Sequence, residues 1–90
     1  MRVARRLMIS GRVQGVGFRY FAQEAAIREG VAGWVRNLPD GRVEAYLEGE
    51  SDGVTRLERV LRNGPRGSRI EDVETESEPA LGADRGFQIR

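Results

Sequence analysis

Apolar and polar residues alternate between Val3 and Gly11, with Leu7 and Ile9 directed to one face and Met8 and Ser10 to the other. That period of two predicts a strand over residues 3–11. At Phe18 the period changes. Phe18, Ala22, Ala25 and Ala26 recur at helical spacing as far as about Glu29, and Gly30 is a natural C-terminal stop. Residues 31–37 form a second strand pattern. Leu38-Pro39-Asp40-Gly41 carries the residue types that a tight turn requires. Arg42 to Glu48 alternates again, with Val43, Ala45 and Leu47 on one face and Arg42, Glu44, Tyr46 and Glu48 on the other, so residues 32–48 read as a β-hairpin. A second helix is predicted from about Asp52 to Asn63, with Ser51 as its N-cap. Val54, Leu57, Val60 and Leu61 make its inward stripe, while Arg56, Glu58, Arg59 and Arg62 are expected to face water. Gly64-Pro65 ends it. Ile70 to Glu76 reads as a fourth strand, residues 79–86 as a loop and Phe87-Gln88-Ile89 as a short last strand.

The resulting order, βαββαβ with a terminal addition, predicts an α+β fold of the ferredoxin-like kind: a sandwich of one antiparallel sheet with two helices on one face. Ninety residues make one domain, residues 1–90, and no linker, repeat or low-complexity segment divides it. No apolar run approaches the roughly 20 residues that span a bilayer. The basic start Met1-Arg2-Val3-Ala4-Arg5-Arg6 is followed by too short an apolar segment for a secretory signal. The expectation is a soluble, cytoplasmic monomer.

Composition then narrows the chemistry. The chain has no Cys, which excludes disulfides, thiolate metal sites and thiol nucleophiles. It has no His, the usual general base near neutral pH. All 15 basic residues are Arg, so Schiff-base chemistry on Lys is also excluded. What remains is Arg, Asn and Gln, carboxylates, hydroxyls and backbone amides. A net charge of +1 with interspersed signs argues against a dedicated nucleic-acid surface. Glu74, Glu76 and Glu78 alternate along a strand and share one solvent face, where they discourage edge pairing rather than hold a metal.

The junction between the first strand and the first helix is the candidate site. Gly11-Arg12-Val13-Gln14-Gly15-Val16-Gly17-Phe18-Arg19 places three glycines where the backbone must turn tightly and aim N–H groups into a small concavity. The helix adds its unpaired N–H groups and positive dipole end, and Arg19 adds a forked cation. These parts describe a cradle for a small anion, a phosphoryl group above all. Asn37, at the end of Gly33-Trp34-Val35-Arg36-Asn37, can orient a water through its amide but cannot take a proton from it. Such an Arg and Asn pair suits a leaving group that departs unprotonated. Acyl phosphates meet that condition, because a carboxylate has a conjugate acid of pKa about 4. Their loose transition state leaves positioning and electrostatics to do the catalysis, and one arginine contributes about 10³–10⁵ in rate in comparable sites.

These same residues resemble the two signature segments of the acylphosphatase family: the Gly11–Arg19 run, and Gly33–Asn37 followed by Leu38-Pro39-Asp40-Gly41-Arg42-Val43. The similarity continues through Gly64-Pro65 to Gly86-Phe87-Gln88-Ile89. The resemblance implies a ferredoxin-like fold and hydrolysis of acyl phosphates without metal or cofactor. It implies that Gly15, Val16, Gly17, Phe18 and Arg19 bind the phosphoryl group and that Asn37 orients the attacking water, with inorganic phosphate as product and inhibitor. Ala22 departs from the pattern, since the family often has Thr there. The family's domain also occurs inside larger hydrogenase-maturation proteins, and the single domain here favours the free-standing enzyme.

Other readings stand beside this one. RNA-recognition domains share the βαββαβ order but need aromatic platforms on the open sheet face, where the third strand offers only Tyr46. A non-catalytic anion sensor would keep the cradle alone. Gln14 is expected to brace the loop, Trp34 to pack or line the pocket rim, and Phe18 and Phe21 to sit in the core. Arg36 and Arg42 are surface charges near the turn.

Overall fold

In a computed structural model, which describes residues 1–82 and 86–90, the chain forms β1 (Arg2–Arg12), α1 (Phe18–Glu29), β2 (Ala32–Asn37), β3 (Val43–Glu50), α2 (Ser51–Asn63), β4 (Arg69–Glu78) and β5 (Phe87–Ile89). The part of the expected 79–86 loop at positions 83–85 lies outside the described residues. The strands form one sheet in the order β4-β1-β3-β2-β5. β1 pairs antiparallel with both β3 and β4, and β2 antiparallel with β3. The expectation of an antiparallel sheet is corrected at one edge: β5 runs parallel to β2, so the sheet is mixed. Three non-local bonds seat that three-residue strand. Gly33 N–H donates to Gly86 O, Arg90 N–H to Val35 O, and the Gln23 side chain to Phe87 O.

One core lies between the sheet and the helices. Leu7, Ile9, Val35, Val43, Ala45 and Leu47 from the strands meet Ala22, Ala25 and Ala26 of α1 and Val54, Leu57 and Leu61 of α2. Alanines on α1 let that helix approach the sheet closely. α1 ends at Gly30, whose left-handed conformation (φ 67°) lets its N–H reach the carbonyls of the last turn. Ser51, expected to cap α2, is instead its first helical residue. The cap position belongs to Glu50, in extended conformation and without a side-chain cap bond. The Glu50 carboxylate pairs with the Met1 ammonium at 3.1 Å rather than with the helix.

The opposite face of the sheet carries no helix, and its burial departs from the sequence expectation. Arg42, Glu44, Tyr46 and Glu48 share that face, yet Glu44, Tyr46 and Glu48 are buried. Long arginine side chains from neighbouring strands lie over them. Arg36 Nε meets Glu44 at 2.6 Å, Arg6 reaches the same carboxylate at 3.3 Å, and Arg2 Nε meets Glu48 at 3.1 Å. The Tyr46 hydroxyl donates to Glu48 at 2.7 Å. The Leu81 and Gly82 N–H groups also donate to Glu48, each at 3.1 Å, so the segment after β4 is strapped across this face. On α2, Glu58 likewise does not face water: it is mostly buried between Arg5 and Arg62, each at 3.0 Å.

Candidate active site

The loop between β1 and α1 turns on Gly15 (φ 74°) and Gly17 (φ 77°), both in the left-handed region that residues with a Cβ avoid. Gly17 occupies the N-cap position of α1 and offers no side chain to the helix, and the first turn carries no acidic residue. The first N–H groups of α1 therefore lack the usual intramolecular acceptors. An uncapped helix start costs stability, and it leaves the positive end of the dipole open to an external anion.

A pocket of about 120 Å³ opens at this helix start, lined by Val13, Gly15, Gly17, Phe18, Arg19, Tyr20 and Asn37. Arg19 and Asn37, from separate elements, thus face one concavity. Arg19 stands in the first turn of α1, and its Nη1 donates to the backbone carbonyl of Arg90 at 3.2 Å, which ties it to the end of β5. Asn37 is the last residue of β2, opposite Val43 of β3. Its register places it on the helix-covered face with Val35. Of the residues expected to hold the phosphoryl group, Gly15, Gly17, Phe18 and Arg19 line the pocket. Val16 is not among the lining residues; its side chain packs half-buried against the core.

Phe18 is both core and pocket wall, and Phe21 packs half-buried beside it with ring centroids 6.1 Å apart. Trp34 packs on the open face and does not line the rim. Its ring stacks on Tyr46 at 6.1 Å and lies under the guanidinium carbons of Arg90 (4.8 Å) and Arg36 (5.4 Å). Two residues of the site were missed from sequence. Val13 carried no chemical signal, and Tyr20, adjacent to Arg19, is 68% exposed at the mouth. Gln14 braces the loop as expected, and its partners are Leu38 O and Arg42 O across the pocket.

Two groups, one in the turn after Asn37 and one on the open face of the sheet, have displaced pKa values. The Asp40 carboxyl, which accepts the Arg42 backbone N–H and then its guanidinium, is held below the usual carboxylate range. The Tyr46 phenol is pushed above its ordinary value by burial and by its bond to the Glu48 carboxylate. Among the described residues no three acidic side chains gather as a metal site. No helix in them is long and apolar enough to cross a membrane.

A ferredoxin-like α+β domain with a glycine-rich, uncapped helix start and an asparagine at one pocket is the class that the fold and the site define. Comparison with known proteins places the chain within that class. The family model for acylphosphatase matches residues 5–89, and the chain belongs to the acylphosphatase family. An acylphosphatase of Rubrobacter xylanophilus is 58% identical over 85 residues, which cover 94% of this chain and 77% of that one. One from Anaeromyxobacter dehalogenans is 51% identical over 89 residues, 99% of this chain and 96% of the relative. The crystal structure of acylphosphatase from Bacillus subtilis superposes with a TM-score of 0.93 at 38% identity, covering 98% of both chains. Full-length HypF, solved in a phosphate- and nucleotide-bound form, matches all of this chain over 12% of its own length, with a TM-score of 0.89 and 26% identity.

Proposed function

We propose that the protein hydrolyses the carboxyl–phosphate bond of acyl phosphates without a metal ion. The carrying observation is that Arg19 and Asn37 face one small pocket at a helix start with neither a side-chain cap nor an acidic first turn. The N–H groups of residues 15–19 and the Arg19 guanidinium bind the phosphoryl oxygens. Asn37 holds a water in line with the bond that breaks. The water oxygen bonds to phosphorus, the bond from phosphorus to the acyl oxygen breaks, and the carboxylate leaves with that electron pair. The protons of the water remain on the phosphate product, so the products are a carboxylate and dihydrogen phosphate. No protein group has to titrate, which suits a chain without His or Cys.

Pocket size supports a reading in which only the reacting group is enclosed. At about 120 Å³ it falls well below the roughly 300–1,000 Å³ of sites that engulf a drug-sized ligand. The acyl part stays at the mouth beside Tyr20, and several acyl groups are accepted. The purified protein is expected to accelerate hydrolysis of benzoyl phosphate and acetyl phosphate in the presence of EDTA, with inorganic phosphate as a competitive inhibitor. Turnover no faster than buffer would end this reading, and turnover abolished by EDTA would end its metal-independent part.

The RNA-binding alternative loses support on the open face. Trp34 and Tyr46 do lie side by side there, but Tyr46 is 3% exposed and Trp34 stacks against arginines. A base has no open aromatic platform on that pair.

A further inference from the structure

Gln14 lies outside the pocket lining, yet its side chain connects the two halves of the pocket. Its Nε2 donates to Leu38 O at 2.8 Å and to Arg42 O at 2.9 Å, both in partly buried surroundings. These carbonyls belong to the turn between β2 and β3. That turn is closed by Leu38 N–H to Arg42 O (2.8 Å) and Gly41 N–H to Leu38 O (3.1 Å). A primary amide has two N–H donors on one nitrogen, and here both go to the segment that begins one residue after Asn37. On its other side Gln14 is followed directly by Gly15, the first left-handed glycine of the phosphoryl-binding loop. The residues nearest to Gln in shape do not reproduce this link. Asn is one carbon short, Glu has no donor, and Met has the length without the polarity.

We infer that Gln14 is a positioning residue: it sets the separation between the loop that holds the phosphoryl group and the asparagine that holds the water. The inference rests on the acyl-phosphate reading above and names a part of it that the pocket lining does not reveal. In-line attack depends on where the water stands relative to phosphorus, whereas phosphate binding depends on the loop and Arg19. Loss of the link therefore lowers kcat and leaves phosphate affinity in place. A misplacement of about 1 Å in such geometry costs on the order of 10²-fold in rate.

The test compares the full chain with Gln14→Met and Gln14→Asn. It reads kcat, KM and the phosphate inhibition constant with benzoyl phosphate. It also reads the NMR resonances of the Asn37 side-chain amide and of the backbone amides at Leu38 and Gly41. The expected result is a kcat lowered by about 10- to 100-fold, an inhibition constant within about threefold of the parent, and displaced resonances at Asn37 and the turn. A kcat within about twofold of the parent overturns the inference. A parallel loss of kcat and phosphate affinity also overturns it, because Gln14 would then serve the loop alone. If the parent protein itself fails to turn over, the acyl-phosphate reading falls separately. The resonances then decide the link: unmoved Asn37 and turn signals in both variants overturn it, and moved ones support it.

Discussion

Replacing Arg19 by Lys keeps one positive charge at the pocket but exchanges a planar fork of donors for a single point. Arg19→Lys and Arg19→Ala are both expected to lower kcat/KM by about 10³-fold or more, and both should weaken inhibition by phosphate. Asn37→Ala should fail differently, losing on the order of 10²–10³ in kcat while phosphate inhibition persists, because in the proposed reaction the asparagine holds the water and not the anion. Steady-state kinetics with phosphate as inhibitor separate the two patterns. Tyr46 contributes to the pH dependence of stability on the alkaline side. Its phenol pKa lies above the ordinary value in the fold, through burial first and the Glu48 bond second. The folded state therefore keeps a proton that the unfolded chain releases above about pH 10. The stabilisation is complete below that pH and is lost as pH rises through the folded-state value. Thermal midpoints are expected to fall with pH in this alkaline range, and Tyr46→Phe should flatten the slope.

At the scale of the element, α1 gives up stability at its first turn, where the proposed reaction needs an open anion site. Gly17 caps nothing and no acidic residue offsets the dipole. Tyr20, in the same turn and exposed, is a position where a carboxylate would fill that gap. Tyr20→Glu is expected to stabilise the fold by about 0.3–1 kcal/mol, read as a higher denaturant midpoint, and to raise KM by repelling the phosphoryl group. α1 and α2 were legible in sequence because their apolar residues repeat at helical spacing, and Arg19 and Asn37 were legible because their chemistry is distinctive. Other features were set by non-local partners that carry no local signal. The direction of β5 depends on tethers from Gly33, Gln23 and Val35. The partners of Gln14 lie 24 and 28 positions away. Ser51 read as a cap because a hydroxyl before a helical stripe commonly is one, but the helix begins one residue earlier and Glu50 is drawn to Met1.

At the scale of the whole molecule, the sheet has one oily face and one built from charge. Alternation along β3 correctly assigned Val43, Ala45 and Leu47 to one side and Glu44, Tyr46 and Glu48 to the other. It did not reveal that the second set is buried. Sidedness is a property of one strand, whereas burial there depends on arginine stems from β1 and β2 and on the strap at Leu81 and Gly82. The result is a five-stranded sheet stable with helices on one face only, where a wider apolar surface would require a partner.

The strand order has a further consequence in time. β1 comes first of the five strands in sequence, yet it sits between β3 and β4, and Ala4 pairs with both Glu48 and Glu78. Within this domain β1 must wait until β4 has been made before its second edge is covered. Closing such distant loops precedes any reward from pairing, so the search is slow whatever the final stability. Stopped-flow refolding should place this domain among the millisecond-to-second folders rather than with helical bundles of equal length.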